Sequence, residues 1–278
     1  MDDALRIDKD AAAAAWAERV KANRLQVERF REAPERADFY APVASAFRAD
    51  PRRTDDLALD ELRALVQPGE TWLDIGAGGG RYALPIALLA GAVIAIEPSD
   101  GMLGVLREGM AEHHITNVRQ VQSRWPMEKP PEADVALIAH VGYDIEAFGT
   151  FLDAMEASAR RLCVAVLQAQ TPAAVAAPFW PIVHGEARVK LPALPEFLAL
   201  QLARGRLCEV RLSSRAHGMY ASPDAAVEVI RHQLFIEPGG AKDKVLQEAA
   251  KKTLFDMDGG SALTTEPVTV GVVSWRPR

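Results

Sequence analysis

The sequence predicts an α/β fold in which a mostly parallel β-sheet carries helices on both faces. Short apolar runs alternate with amphipathic segments along the middle of the chain, as expected for parallel strands that are buried on both sides. A glycine-rich turn at residues 76–80 directly follows the first of these runs. The 278 residues, 49% of them hydrophobic, suffice for one substantial core. We expect one α/β domain, preceded by a helical cap.

Charge and cysteine content favour a soluble protein that acts on a small molecule. A formal net charge of −6 argues against general binding to nucleic acid or to membrane surfaces. No apolar segment approaches the roughly 18 residues of a membrane span, and the acidic N-terminus does not resemble a signal peptide. Cys163 and Cys208 lie in apolar, strand-like runs, which indicates buried free thiols. We expect a cytoplasmic location. The composition leaves open whether the protein forms a homodimer.

The helical cap is assigned to residues 1–67. Apolar side chains recur at mixed helical spacing from about residue 11 to residue 33, which predicts one helix. Three prolines then interrupt the chain before a second amphipathic helix at about 56–66. Thr54 stands where the side chain that caps this second helix is expected.

The α/β domain is assigned to residues 68–278. Its first strand ends at Ile75, and a helix from the glycine turn to about Ala90 is ended by Gly91. A second buried strand finishes at Glu97, and Ser99 caps a helix that runs to about residue 113. Three further strands are predicted at 117–122, 134–142 and 160–168, with a helix at 145–159 between the last two.

The segment at about 171–204 interrupts this alternation, because it is rich in proline and aromatic residues. We interpret it as an insertion on the substrate side. A sixth strand at 207–214, helices near 222–235 and 241–255, and a final strand at 268–276 complete the domain. The cap and the insertion are expected to close over a bound ligand as lids.

The glycine turn indicates a site for a nucleotide-like cofactor. Asp74, Gly76, Gly78 and Gly80 are spaced two residues apart, and such a turn can press backbone N–H groups against a ligand. Counted from Gly78, the glycines also satisfy the dinucleotide pattern G-x-G-x-x-G/A, which leaves an NAD(P) enzyme open. The carboxylate of Asp74 favours a cationic ligand over a pyrophosphate.

This spacing resembles motif I of the class I S-adenosylmethionine-dependent methyltransferases. The run EPSDGML at residues 97–103 extends the resemblance, which covers roughly residues 70–167. It implies a Rossmann-like sheet of seven strands whose last strand is antiparallel. It further implies S-adenosylmethionine as the methyl donor and S-adenosylhomocysteine as the product.

Several residues are candidates for contact with this cofactor. Glu97 ends the second strand about 20 residues beyond the glycines, where a carboxylate accepts both ribose hydroxyls in either nucleotide fold. The resemblance implies that Met102 packs against adenine, and it implies adenine contacts after the third strand. The cofactor set is Asp74, Gly76, Ala77, Gly78, Gly80, Glu97, Pro98, Met102, Ser123, Arg124, Trp125 and His140.

His140 is the one candidate catalytic residue, because it ends the fourth strand, at the edge that faces the ligand crevice. It can take a proton from a nucleophile or orient it, or it can contact the cofactor. The Asn/Asp-Pro-Pro-Tyr/Phe signature of nitrogen-directed nucleic-acid methylases is absent at this place. No cysteine, histidine or acidic cluster has metal-ligand spacing, so no metal is expected.

The expected function is methyl transfer from S-adenosylmethionine to an oxygen or nitrogen atom of a small molecule. An NAD(P)-dependent oxidoreductase and a non-catalytic S-adenosylmethionine-binding regulator are the alternatives. Arg48, Arg52 and Arg53 are expected in a solvated loop rather than in an anion site. Candidate pocket residues are Tyr40, Arg81, Tyr82, Trp180, His184, Arg188, Lys190, His217 and Tyr220.

Overall fold

A computed structural model of the protein describes residues 8–32, 34, 37–38, 40–257 and 259–278. Its strands are β1 Thr71–Ile75, β2 Ala92–Ile96, β3 Val118–Val121, β4 Ala133–Ala139, β5 Ala159–Gln168, β6 Glu209–Arg215, β7 Met219–Tyr220, β8 Phe255–Met257, β9 Gly260–Ala262 and β10 Val268–Trp275. The main sheet has the order β3-β2-β1-β4-β5-β10-β6, and β10 runs antiparallel to both of its neighbours. The predicted seven-stranded Rossmann-like sheet with an antiparallel last strand is confirmed.

Helices cover both faces of the main sheet. The α-helices of the described residues are α1 Lys9–Phe30, α2 Leu57–Leu65, α3 Ala83–Ala87, α4 Asp100–Glu112, α5 Phe148–Ser158, α6 Trp180–His184, α7 Leu194–Ala203, α8 Pro223–Leu234 and α9 Ala241–Thr253. Short 3-10 helices add Ala41–Phe47 and Pro172–Phe179. None of the helices within these described ranges is long and apolar enough to span a lipid bilayer.

The core lies in two layers, because successive strand residues point to opposite faces of the sheet. Trp72 and Leu137 pack with apolar residues of α2, α3 and α4 on one face. Leu73 and Ile138 pack with α5 and α7 on the other face. Both faces of the central strands are therefore buried, which explains their continuous apolar sequence.

The N-terminal helix α1 is joined to the domain by buried contacts. The Trp16 ring stacks on Phe148 of α5 at 4.7 Å between ring centres, and its Nε1 donates to the Ile145 carbonyl at 2.9 Å. Farther along, the Asn23 amide donates to the Val189 carbonyl at 2.5 Å. These contacts tie α1 to α5 and to the segment before α7. The domain boundary at 67/68 and the insertion at about 171–204 stay predictions.

A second, smaller layer lies beyond the main sheet. Strands β7, β9 and β8 form an antiparallel sheet in that order. Trp180, Ile230 and Leu246 build a separate apolar cluster from α6, α8 and α9. Val27, near the end of α1, joins this cluster. The sequence analysis predicts the two long helices here but not the small sheet, whose strands have only two or three residues.

Two local expectations are wrong. Asp56, not Thr54, caps α2, because its Oδ1 accepts from the Leu59 N–H at 3.3 Å. The α-helix after the glycine turn ends at Ala87, and the chain continues to residue 90 through a tighter turn. Pro85 lies in the first turn of this helix and has no N–H to donate, so the helical bond to the Arg81 carbonyl is missing. The cap at Ser99 and the free thiols of both cysteines are confirmed, but only Cys163 is buried, because Cys208 lies just before β6 and is partly exposed.

Candidate cofactor and acceptor site

The glycine turn follows β1, and its backbone has positive φ angles that favour glycine. Gly76, Gly78 and Gly80 have φ angles of 77°, 54° and 85°. A Cβ atom at Gly76 would lie 2.5 Å from a methyl group of Val141, so a side chain there is excluded by space as well as by φ. The N–H groups of Gly76 and Ala77 both donate to the Ile96 carbonyl, at 2.8 and 3.0 Å. The turn is thereby held against the end of β2.

Asp74 is a buried carboxyl group with an unpaired oxygen. Its side chain is 2% exposed, and its Oδ1 has no hydrogen-bond partner among the described residues. Burial and the nearby charge of Glu97 raise the pKa of Asp74 to about 7. A buried carboxylate without a partner is costly unless a ligand supplies donors or positive charge. The ammonium group of a bound amino acid is such a partner.

Glu97 is oriented by two backbone donors. The Gly78 N–H and the Ser99 N–H each donate to a different carboxylate oxygen, both at 2.9 Å. Burial raises the pKa of Glu97. Each carboxylate oxygen can accept more than one hydrogen bond, so the group retains capacity for two hydroxyls. Because it bridges the glycine turn and α4, Glu97 is already aligned before any ligand arrives.

The segment before α2 covers the first turn of α4. Met102 is buried together with Ala44 of the 3-10 helix and with Val105. Ser99 Oγ accepts from the Met102 N–H at 3.1 Å and donates to Asp38 Oδ2 at 2.8 Å. Part of the N-terminal region therefore lies directly over the helix that follows Glu97.

The residues after β3 form no hydrogen bond with the glycine turn or with Glu97 among the described residues. Ser123 Oγ donates to the Arg124 carbonyl at 2.9 Å, and the Arg124 side chain is exposed. Trp125 Nε1 donates to the Phe151 carbonyl at 3.3 Å, with the two rings edge to face. Trp125 is thus anchored to α5. Contacts of these three residues, of Pro98 and of Met102 with a cofactor stay predictions.

His140 follows β4 and lies between two tyrosine hydroxyls. Its Nε2 is 3.3 Å from the Tyr82 hydroxyl, and its Nδ1 is 3.5 Å from the Tyr143 hydroxyl. Burial, together with the charges of Arg215 and Arg81, lowers the pKa of His140 to about 3. The imidazole is therefore neutral at neutral pH, with one donor and one acceptor nitrogen for the two hydroxyls.

Arginines surround this histidine on two sides. Arg53 and Arg81 share Asp56, at 3.2 and 3.0 Å from its Oδ2. The Arg53 side chain is 11% exposed, so the expectation that it lies in a solvated loop is wrong. Its pairing with Asp56 explains this burial. Arg215 ends β6 and donates from Nη2 to the Gln168 side-chain oxygen at 2.8 Å, with the Gln168 amide oriented to accept.

The structure gathers only some of the predicted pocket residues. Arg81 and Tyr82 lie beside His140, whereas Trp180, His184 and Arg188 pack together in the smaller layer. Gln168 and Arg215 were missed by sequence reasoning, although each is the last residue of a strand in the main sheet. Strand ends at the carboxyl edge of such a sheet are the signal that identifies them. Across the described ranges, no group of three or more histidine, cysteine or acidic side chains is arranged to hold a metal ion.

Comparisons with known proteins show the fold. No family model matches the chain. An uncharacterized protein of Haemophilus influenzae is 31% identical over 102 residues, which cover 35% of this chain and 34% of that protein. The solved structure of the YcgJ protein from Bacillus subtilis has 14% identity and a TM-score of 0.56, with 80% of this chain and 99% of that chain covered.

A second solved structure is that of magnesium protoporphyrin IX methyltransferase from Synechocystis PCC 6803 with bound S-adenosylhomocysteine. It has 10% identity and a TM-score of 0.51, and the match covers 97% of this chain and 100% of that chain. This chain therefore has the fold of the class I S-adenosylmethionine-dependent methyltransferases. The expected resemblance is confirmed at the level of the fold.

Proposed function

We propose that this protein binds S-adenosylmethionine and transfers its methyl group to an oxygen or nitrogen atom of a small molecule. The observation that carries the proposal is the pair of buried carboxyl groups at the glycine turn. Asp74 has an unpaired oxygen, and Glu97 is aligned by two backbone N–H groups. Both are suited to a ligand that is positively charged at one end and carries a ribose.

The residues fit this ligand in charge. Glycines at the turn have no side chains, so a ligand can approach the backbone there closely. Asp74 would attract the ammonium group, and Glu97 would accept the two ribose hydroxyls. A pyrophosphate would meet both carboxylates and would be repelled. The antiparallel β10 also departs from the all-parallel dinucleotide order, which disfavours the NAD(P) alternative.

Bound S-adenosylmethionine supplies an electrophilic methyl group on a sulfonium, which a nucleophile attacks in line. The protein's part is alignment and exclusion of water. His140 and the two tyrosine hydroxyls line the carboxyl end of β4, where they would position the acceptor atom. With a pKa of about 3, His140 is a weak base, so its role in our proposal is to orient the acceptor through a hydrogen bond.

Titration calorimetry with S-adenosylhomocysteine, S-adenosylmethionine and NADH tests the cofactor. We expect micromolar affinity for the first two and no binding of NADH. Saturation with S-adenosylhomocysteine at a hundredfold over its dissociation constant should stabilise the protein by about 2.7 kcal/mol. Binding of NADH alone would contradict the proposal.

Formation of S-adenosylhomocysteine in the presence of acceptor mixtures separates an enzyme from a regulator. We expect the product to accumulate with at least one class of small nucleophile. Tight binding of S-adenosylmethionine without turnover on any class would favour the non-catalytic alternative.

A further inference from the structure

Five polar side chains form a continuous cluster at the carboxyl edge of the main sheet. We call Tyr82, His140, Tyr143, Gln168 and Arg215 the edge cluster. Its two tyrosine hydroxyls flank the imidazole, and the Gln168 N–H donates to the Tyr143 hydroxyl at 2.9 Å. The Gln168 side chain in turn accepts from Arg215. The cluster therefore runs from the glycine turn, through β4 and β5, to the end of β6.

Arg215 is the charge in this cluster that lacks an acidic partner. No described carboxylate forms an ion pair with it, and its buried Nε has no hydrogen-bond partner in the same residues. Arg53 and Arg81, by contrast, share Asp56. The positive charge of Arg215 also contributes to the low pKa of His140. A guanidinium without a carboxylate partner, next to hydroxyl groups, is an arrangement that binds an anion.

We propose that Arg215 binds a carboxylate group of the methyl acceptor and so selects acidic small molecules as substrates. The inference rests on the proposed function. A carboxylate supplies the negative charge that Arg215 lacks among the described residues. The planar guanidinium can also bond both carboxylate oxygens at once.

The carboxylate of S-adenosylmethionine itself is the other possible source of this anion. The strand order argues against it, because β4, β5 and β10 all lie between β1 and β6. The Arg215 side chain reaches from the end of β6 to Gln168 at the end of β5, which lies two strand spacings from β1, about 10 Å at about 4.8 Å each. The glycine turn follows β1, so Arg215 lies on the far, acceptor side of His140.

Binding of matched acids and amides tests the proposal without knowledge of the acceptor. The probes are benzoate against benzamide, and acetate against acetamide as a smaller pair, titrated by calorimetry or NMR into protein saturated with S-adenosylhomocysteine. We expect each acid to bind and its amide to bind at least about tenfold more weakly, because a charge-assisted bond is lost. Arg215→Gln should weaken the acids to the level of the amides.

Arg211→Gln is the matched control, since Arg211 lies on the same face of β6, is exposed and pairs only with Glu209 among the described residues. It should leave acid binding unchanged. Equal binding of acids and amides, absence of binding in both pairs, or an Arg215→Gln variant that still prefers acids would overturn the inference.

The affinity of Arg215→Gln for S-adenosylhomocysteine distinguishes the two sources of the anion. We expect it to lie within about twofold of the parent protein. A tenfold loss of that affinity would assign Arg215 to the cofactor carboxylate and overturn the proposal. If the parent protein binds no S-adenosylhomocysteine, the proposed function fails, and the same probes on the protein alone still decide whether Arg215 binds a carboxylate.

Discussion

The two ends of the main sheet treat buried charge in opposite ways. At the amino ends of the parallel strands, Glu156 receives bonds from Arg204 at 3.2 Å, from Trp275 Nε1 at 3.0 Å and from Arg206. At the carboxyl ends, Asp74 and Arg215 keep buried atoms without partners. Both ends belong to the same strands, so the difference in charge pairing does not reflect a difference in the strands themselves.

The contrast separates stability from function. Where every buried charge is paired, removal of one partner costs folding free energy and should leave ligands unaffected. Where a buried charge is unpaired, the protein carries a cost that a ligand can relieve. Our proposal therefore places ligand binding at the carboxyl end, whereas the paired charges at the amino end stabilise the fold.

Glu156→Gln should give the largest effect at the amino end. Loss of the carboxylate leaves Arg206 buried without its acidic partner, whereas Arg204 keeps Asp153, at a cost of about 3–5 kcal/mol in the free energy of unfolding. Urea unfolding measures this change. The affinity for S-adenosylhomocysteine should stay within about twofold, measured where the variant is folded.

Glu132→Gln is the control, because Glu132 is exposed and lies 3.5 Å from Arg160. It should change the stability by less than about 0.5 kcal/mol. A similar loss in both variants would remove the distinction between paired buried charge and surface charge.

Glu97→Ala should give the largest effect at the carboxyl end. Loss of two charge-assisted bonds of about 1.5 kcal/mol each predicts at least a tenfold, and up to about a hundredfold, loss of affinity for S-adenosylhomocysteine. Calorimetry measures it, with the exposed Glu108→Gln on α4 as control. Unchanged affinity in Glu97→Ala would show that the ribose assignment is wrong.

Asp74→Asn should improve stability while it weakens binding. The folded-state pKa of about 7 lies above the unfolded value of 3.8, so the carboxyl group destabilises the fold increasingly as the pH rises from about 4 to 7. The stability of Asp74→Asn relative to the parent should therefore rise by about 2–3 kcal/mol between about pH 5 and pH 8.

Unfolding of the ligand-free proteins at both pH values measures this change, and the exposed Asp60→Asn serves as control. Affinity for S-adenosylhomocysteine should fall in Asp74→Asn alone. A pH-independent difference would mean that Asp74 ionises normally in the folded protein.

His140→Gln should show the opposite dependence on pH. Its folded-state pKa of about 3 lies below the unfolded value of 6.5, so the histidine destabilises the fold as the pH falls through 6.5. Relative to the parent, the variant should gain about 2 kcal/mol between about pH 8 and pH 5. Unfolding at the two pH values measures it, with His113→Gln as control.

The same variant tests the role of His140 in the reaction. Turnover should fall more than the affinity for S-adenosylhomocysteine if the imidazole orients the acceptor. The reverse pattern would place His140 at the cofactor. Of the three variants for which a change in stability is predicted, this one is expected to give the smallest.

The sequence alone predicts where the main strands lie along the chain and where the glycine turn follows the first of them. Apolar runs such as the one ending at Ile75 are local patterns, since a strand buried on both faces must be apolar along its length. Asp74 and Glu97 follow from their spacing around the glycines. These predictions depend on neighbours in the chain, which the sequence displays directly.

Only the tertiary structure decided which polar side chains meet. Gln168 and Arg215 are separated by more than 40 residues along the chain. Their strands both flank β10, and the Arg215 side chain reaches past the end of β10 to bond Gln168. Asp56, rather than the predicted Thr54, caps α2. The same carboxylate pairs with Arg53, whose side chain is therefore buried. Long-range pairing depends on how the strands are ordered and on which charges remain without partners, and neither is written in the spacing of residues along the chain.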